Sequence, residues 1–573
     1  MKISRRAAQD PSSFTHPLYI VILAHTSATH SLMPKPPIPN AELAAPRTSG
    51  AKLILPPIDE AGEWAAANRR IIDRSDYELQ GRRLSALAAQ ARDELLIAAL
   101  RHTRSYRDVA EPAKLSDTLF LAGHQPEIYH PGVWLKNFIL DRLARRHDGV
   151  AINLVIDSDT IKSSALRVPG GSIAEPTVEG VLFDRPSAEI PFQSRTILDQ
   201  ELFESFGRRA AARLAPLVPD PMLIDYWPLA VACSQRTRNL GECLAQSRHQ
   251  WEGSWGLSTL EIPQSCVCQL EAFQWLSAHL LAHLPRFWDV YNSALADYRR
   301  CYHVRSQAHP VPELAVDDQW LEAPFWIWTD EDPRRRRVFA RQRGDDILLT
   351  DRERIEVAIP LSADSDGARA VQQLAALGDR GIHLRSRALL TTLAARLVFG
   401  DLFLHGVGGA KYDRLTDAII ERFFGLDAPA YMVVSGTLHL PIARPTVSGG
   451  DLRDVERELR DLTFHPERFI TESPRDASDN ETSPAPWLEM KRRWIAAPFA
   501  PSQARERYRA IRAANEDLQR FIVARREEAL RRSDRLAREL RAEAILSSRD
   551  YGFGLYPEKS LHDFLLAFPV ERV

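Results

Sequence analysis

The stretch from Thr118 to Asp157 constrains the fold of this chain most. It runs TLFLAG (Thr118 to Gly123), a Pro-containing turn, an amphipathic segment from Val133 to Arg146, and VAINLVID (Val150 to Asp157). Two apolar runs of strand length flanking a helical period predict a βαβ unit. A crossover of this length makes the strands parallel and the connection right-handed. The loop after the first strand then lies at the carboxyl edge of the sheet, where α/β folds bind ligands.

The same rhythm returns far downstream. A helix from about Arg387 to Val398 precedes the strand DLFLHG (Asp401 to Gly406), a Gly-rich turn, a helix from Tyr412 to Phe424, and the strand YMVVSG (Tyr431 to Gly436). The predicted core is therefore split in sequence. Residues 46–160 form one half, with one or two leading helices between Glu60 and Arg104, and residues 382–470 form the other. Residues 161–381 read as an inserted connecting region with a helical portion from Leu270 to Arg300 and a Trp-rich segment, APFWIWTDEDPRRRRVF. Residues 471–573 hold a Ser/Pro/Asp/Asn-rich loop (Thr471 to Pro486), a long helix from Ser502 to Leu546 and a terminal segment. In the long helix Ile511, Leu518, Ile522, Leu536 and Leu540 predict pairing with another helix, while Arg525 and Arg532 break a strict heptad.

At 573 residues and 45% hydrophobic content the chain is long enough for two or three structural units with a large core. Its 74 Lys plus Arg against 76 Asp plus Glu leave no global field to attract nucleic acid or an anionic membrane, so any anion site is local. The long helix has 12 Arg against 8 acidic residues between Ala504 and Glu543, but the signs interleave, as on a solvated, ion-paired surface. The five cysteines include no CxxC pair and read as reduced thiols, an expectation of a cytoplasmic protein. The apolar run Leu18 to Ala24 is too short to span a bilayer, and no other segment reads as transmembrane. Residues 1–45 are expected to be a disordered extension, with the start at Met1 or at Met33, which opens a Pro-rich lead-in.

Four segments can carry chemistry. In AGHQPEIYHPG (Ala122 to Gly132), Gly123 permits a tight turn, and the N–H groups of the following helix can hold a phosphate or carboxylate. His124 and His130 can donate to a phosphate oxygen as charge develops there, although two histidines at this spacing are more often an ordinary polar pair and do not have metal-helix spacing. Asp157 and Asp159 end the second strand, where carboxylates orient an amine, bind ribose or hold Mg²⁺, or else cap the next turn. In HGVGGAKYD (His405 to Asp413), Gly406, Gly408 and Gly409 let backbone N–H groups approach a ligand and Lys411 supplies charge. This segment is neither a P-loop nor GxGxxG, and a plain tight turn is the competing account. Ser435 and Thr437 of SGTL place hydroxyls at a further strand end.

Taken in order, these segments resemble the family of the cysteine-adding enzyme of bacillithiol biosynthesis. AGHQPEIYHPGVW is similar to the family's TGQQAGLFTGPLY, with His124 and His130 in place of Gln and Thr. VIDSDT keeps acids at Asp157 and Asp159 but lacks the histidine of the family's ED-H-D cluster. FLHGVGGAKYDRLT is similar to FIGGPGEIAYWAQL, sharing Phe403, Gly406, Gly408 and Tyr412, and SGTL to SATL. LYPEKSLHDFLL (Leu555 to Leu566) resembles the family's terminal segment. The HQP opening of the first loop is also similar to a WbqC-like family linked to surface-sugar biosynthesis, a resemblance that covers only this loop and the following strand.

The resemblance implies a Rossmann-like, nucleotidyltransferase-type parallel-sheet core with inserted connecting segments and a C-terminal coiled coil that makes a homodimer. It implies an ATP-using ligase that joins cysteine, or a similar amino acid, to an amino-sugar amine. Gly123, His124, Gln125 and His130 would hold the nucleotide phosphate or activated carboxyl and Asp157 and Asp159 would orient the amine. His405, Gly406, Gly408, Gly409, Lys411, Tyr412, Ser435 and Thr437 would complete the pocket. His124, His130, Asp157 and Lys411 are the catalytic candidates, and no metal ligand set is expected. The competing expectation is a non-catalytic nucleotide- or sugar-binding dimer on the same scaffold.

Overall fold

A computed structural model of the chain describes residues 43–110, 118–470, 483–498 and 500–567. Of the expected extension over residues 1–45 and the loop Thr471 to Pro486, all but residues 43–45 and 483–486 lie outside the described residues.

The fold is mixed α/β around a six-stranded, mostly parallel sheet. Its strands are β1 (Lys52–Leu55), β2 (Leu119–His124), β3 (Val150–Val155), β4 (Leu260–Pro263), β5 (Leu402–His405) and β6 (Tyr431–Gly436), in the spatial order β1-β6-β5-β2-β3-β4. Only β1 runs antiparallel to its neighbour. The expected βαβ unit is present as β2, α3 (Pro131–Arg146) and β3, with Phe120 opposite Ala151 and Leu121 opposite Ile152.

Alternation along the strands divides the side chains between two cores. Leu119, Leu121, Ile152 and Leu154 face a core built with α2 (Leu84–Arg104), and Phe120, Ala122, Ala151 and Leu404 face one built with α3. The leading segment is two helices, α1 (Ala61–Asp73) and α2. Asp401 ties both to the sheet: Arg69 grips it with Nε and Nη2 at 3.0 and 2.6 Å, Arg92 adds a 2.6 Å bond, and the Leu119 N–H donates to it at 2.8 Å. That fixes the amino ends of β2 and β5 beside each other.

The reading of residues 161–381 as an insertion outside the core is corrected, because β4 comes from this range and forms the far edge of the sheet. Four residues between two long helical stretches were too short a signal to stand out as a strand. The Trp-rich segment belongs to a six-stranded antiparallel sheet (Val316–Asp317, Trp320–Thr329, Arg336–Arg343, Asp346–Thr350, Glu356–Pro360 and Ile382–Ser386).

A buried ionic network joins three parts of the core. Arg248 bonds to Glu252 at 2.7 Å and to Glu261 of β4 at 2.5 Å. Trp134 and Asn137 of α3 donate to Glu252, and Asn153 of β3 donates to Glu261.

The expected single long helix is instead α7 (Ala504–Leu518), a tight turn over Gln519–Ile522, and α8 (Val523–Leu546). Within the same chain α8 packs on α5 (Gly449–Phe464) and α7 on α6 (Ala485–Ala496), with Glu458 of α5 between Arg525 and Arg532 of α8. The two arginines that break the heptad are thus the ones that ion-pair across the helices. Among the described residues no helix is long and apolar enough to cross a membrane.

Candidate functional site

From β2 the sheet grows one way through β3 and β4 and the other way through β5 and β6, so the strand order reverses between β2 and β5. At such a switch point the connections diverge and leave a crevice at the carboxyl ends of the strands. A cavity of about 640 Å³ occupies that place. Gly123, His124, Gln125, His130, Asp159, His405, Gly406, Gly408, Gly409, Tyr412 and Ser435 all line it. Two loops more than 270 residues apart in sequence therefore meet at one site.

The first loop differs in detail from the sequence expectation. Gly123 is a strand residue where a Cβ would make ordinary contacts at 3.4 Å, so it serves no tight turn. The start of α3 is closed by its own cap: His130 Nδ1 accepts from the Gly132 N–H at 3.1 Å, and the Val133 N–H bonds to the His130 carbonyl. The anion seat expected at this helix is absent, because Pro131 has no N–H and the next two are used. With Nδ1 accepting, the proton of neutral His130 sits on Nε2 as a donor, and burial holds its pKa down to about 4. His124 is the reverse. Its Nδ1 faces the Gln125 carbonyl at 3.2 Å and must donate, which leaves Nε2 an acceptor, so His124 does not fit the expected role of phosphate donor. Burial, then Lys136, pushes its pKa down to about 3.

The two aspartates part company. Asp159 is in the cavity wall, accepting from Gln125 Nε2 at 2.8 Å, the Thr160 N–H at 2.9 Å and Arg335 at 2.9 Å. Asp157 is buried outside the cavity lining and accepts from the Ser265 N–H at 2.9 Å and from its hydroxyl. Its expected catalytic role gives way to capping. Burial raises its pKa against the pull of the Ser265 bonds.

In the second loop the Gly-rich turn is a single residue. Gly406 is the N-cap of α4 (Val407–Ile419), with no side chain to cap it, so the Val407, Gly408 and Gly409 N–H groups start the helix without intrahelical partners. A Cβ at Gly406 or Gly408 would meet open space. This helix start, and not that of α3, is the exposed positive end of a dipole in the cavity. Lys411 is exposed and lies outside the cavity lining, about half a turn round α4 from Gly409. Thr437 is also outside the lining, donating to the Pro46 carbonyl at 2.6 Å to hold the segment before β1.

Sequence reasoning missed the cations. Lys136, Arg335, Arg387 and Arg549 line the cavity against one carboxylate, Asp159. Arg387 pairs with Glu322 at 2.6 Å and lies 4.2 Å from the Trp326 ring, which Arg335 also faces. Lys136 and Arg549 instead donate to backbone carbonyls, Gly123 at 2.8 Å and Gly436 at 3.0 Å. Burial lowers the Lys136 pKa to about 8. Its signal was present in PGVWLKNF, a lysine among residues of the buried helix face. Arg549 had none, since it arrives from the far end of the chain. Together with the α4 N-terminus these groups suit a ligand carrying a phosphate or carboxylate. No protein-family model matches this chain, and no curated protein matches it either.

Proposed function

We propose that this protein is an ATP-using, carbon–nitrogen bond-forming ligase that joins cysteine or a similar amino acid to an amino-sugar amine. One observation carries the reading: an uncapped helix start and two cations bonded only to backbone carbonyls converge on a cavity at the sheet's switch point. ATP, as substrate, would set its phosphates against α4, Lys136, Arg549 and the His130 Nε2 proton. Asp159, held by Gln125 and Arg335, is the carboxylate available to an amine. The Rossmann-like, nucleotidyltransferase-type description of the core and the cytoplasmic location belong to the same proposal. So does a homodimer through the C-terminal helices, where Phe464, Ile495, Tyr508 and Val523 are each more than half exposed.

The test is ATP-dependent product formation followed by mass spectrometry, with cysteine and glucosaminyl-malate and a panel of other amino acids and amino sugars. A cysteine conjugate that disappears in Lys136→Ala supports the ligase. A specific observation favours the second reading, a non-catalytic nucleotide- or sugar-binding dimer: Asp157 and Lys411, two of the four catalytic candidates, stand outside the cavity lining. Binding of ATP without any turnover across the panel would establish that reading in its place.

A further inference from the structure

His405 ends β5 with its ring against the cavity, and its Nε2 lies 2.9 Å from Oδ2 of Asp413, the residue after cavity-lining Tyr412 on α4. Asp413 is fully buried and is held from two more sides, by Arg396 Nη1 at 2.6 Å on Oδ2 and by the Thr392 hydroxyl at 2.7 Å on Oδ1. Arg396 is fixed in turn by Asp417 at 2.5 Å and by the Pro429 carbonyl. Burial opposes charge on Asp413, but Arg396 and then His405 keep its carboxyl well below the ordinary range. An ionised acceptor places the imidazole proton on Nε2, which leaves the Nδ1 lone pair unused.

The neighbouring glycine keeps that lone pair open. A Cβ on Gly409 would sit 2.7 Å from His405 Nδ1, so any side chain larger than glycine's at this position would press on that atom. Nδ1 makes no hydrogen bond among the described residues. The charged and titratable groups facing the ring are Asp413, Arg396, Asp417 and Tyr431, whose ring meets it edge-on at 5.0 Å.

We propose that His405 is the proton acceptor of this site, acting through Nδ1, with Asp413 as the positioning residue that fixes its tautomer and Gly409 as the gap that exposes it. A carboxylate behind one ring nitrogen and an open lone pair on the other is the arrangement of a general base. Resting on the ligase reading, the step is an amine attack on an acyl phosphate or acyl adenylate formed from ATP. The amine N–H proton passes to Nδ1 as the C–N bond forms, and the carboxyl–phosphate C–O bond breaks with its electron pair leaving on phosphate. The imidazolium then releases its proton to water.

Two measurements on the full chain test this. Diethyl pyrocarbonate labelling read by peptide mass spectrometry should modify His405, and Gly409→Ala should suppress that labelling at least tenfold while leaving the protein folded. An unmodified His405, or equal labelling in Gly409→Ala, overturns the open-Nδ1 arrangement. In turnover assays His405→Gly should lower kcat by about 10²–10⁴-fold with little change in KM, and added imidazole should restore part of the rate. Asp413→Asn should lower kcat while retaining ATP binding. Wild-type kcat in His405→Gly overturns the proposal. Absence of product from the wild type overturns the ligase reading instead, and the pair is then judged on the labelling alone.

Discussion

Gly132, in the first turn of α3, packs directly onto the carbonyl oxygen of Gly436 at the end of β6, leaving no space for a Cβ on Gly132. Both partners are backbone, so neither can swing aside. Gly132→Ala is therefore expected to cost about 3 kcal/mol, the upper range for overpacking, in urea denaturation. Gly408→Ala is the control from the same cavity: its Cβ meets open space, so stability should hold while ATP affinity drops as the added methyl crowds the α4 N–H groups.

The buried ammonium of Lys136 predicts a trade between stability and binding. Its folded pKa of about 8 lies below the ordinary 10.5, so between those values the unfolded chain holds the extra proton and stability rises with pH. Below about pH 8 the cost of burying the charge, on the order of 3 kcal/mol, is present in full. Lys136→Met should raise Tm at pH 7, flatten the rise between pH 8 and 10.5, and abolish ATP binding measured by calorimetry. An unchanged Tm at pH 7 would show that the ammonium is not buried at this cost.

Much of this site was legible because strand ends can be read from short apolar runs. TLFLAG and DLFLHG located both loops at the carboxyl edge, and eleven of the fourteen expected residues line the cavity. What could not be read is direction. Lys411 and Gly409 are two residues apart, yet helical rotation puts one in solvent and the other over His405. Asp157 and Asp159 lie in the turn that follows β3, where the strand's alternation no longer applies, and the turn sends one to Ser265 and the other to the cavity. Arg549 and Lys136 meet only through long-range packing, which no local pattern encodes.

Asp157→Ala should behave as the loss of a cap. Removing the acceptor of the Ser265 N–H and hydroxyl is expected to cost about 1–2 kcal/mol in thermal or urea unfolding. ATP affinity should stay within twofold of wild type, whereas Asp159→Ala, which frees Gln125 and Arg335, should change ligand binding.

Arg248 holds two buried carboxylates at once, so Arg248→Met leaves both Glu252 and Glu261 without their cation. Breaking such a pair costs about 3–5 kcal/mol, and here the loss also loosens Trp134 and Asn137 of α3 and Asn153 of β3. The triple change Arg248→Met, Glu252→Gln, Glu261→Gln removes the uncompensated charge and should recover most of that stability in denaturant titrations. If the single and triple variants are equally unstable, packing of the arginine stem, not charge, is what the network supplies.

The C-terminal helices bury few side chains of their own: α5 buries only Val455 and Leu462, and α6 only Lys491. Phe464, Met490, Ile495, Tyr508, Val523 and Leu530 are exposed there, more than half of the large exposed apolar residues among those described. Monomeric proteins seldom leave apolar side chains gathered on one substructure, and α5–α8 already pair within the chain, so a second copy would add to this face and not replace an internal partner. Ile495→Glu with Tyr508→Glu should convert a dimer to a monomer in size-exclusion chromatography with light scattering. Stability of the α/β core should hold, because neither side chain contributes to its two main clusters. A wild type that is monomeric at every concentration tested would remove the dimer, and the exposed face would then need a different occupant.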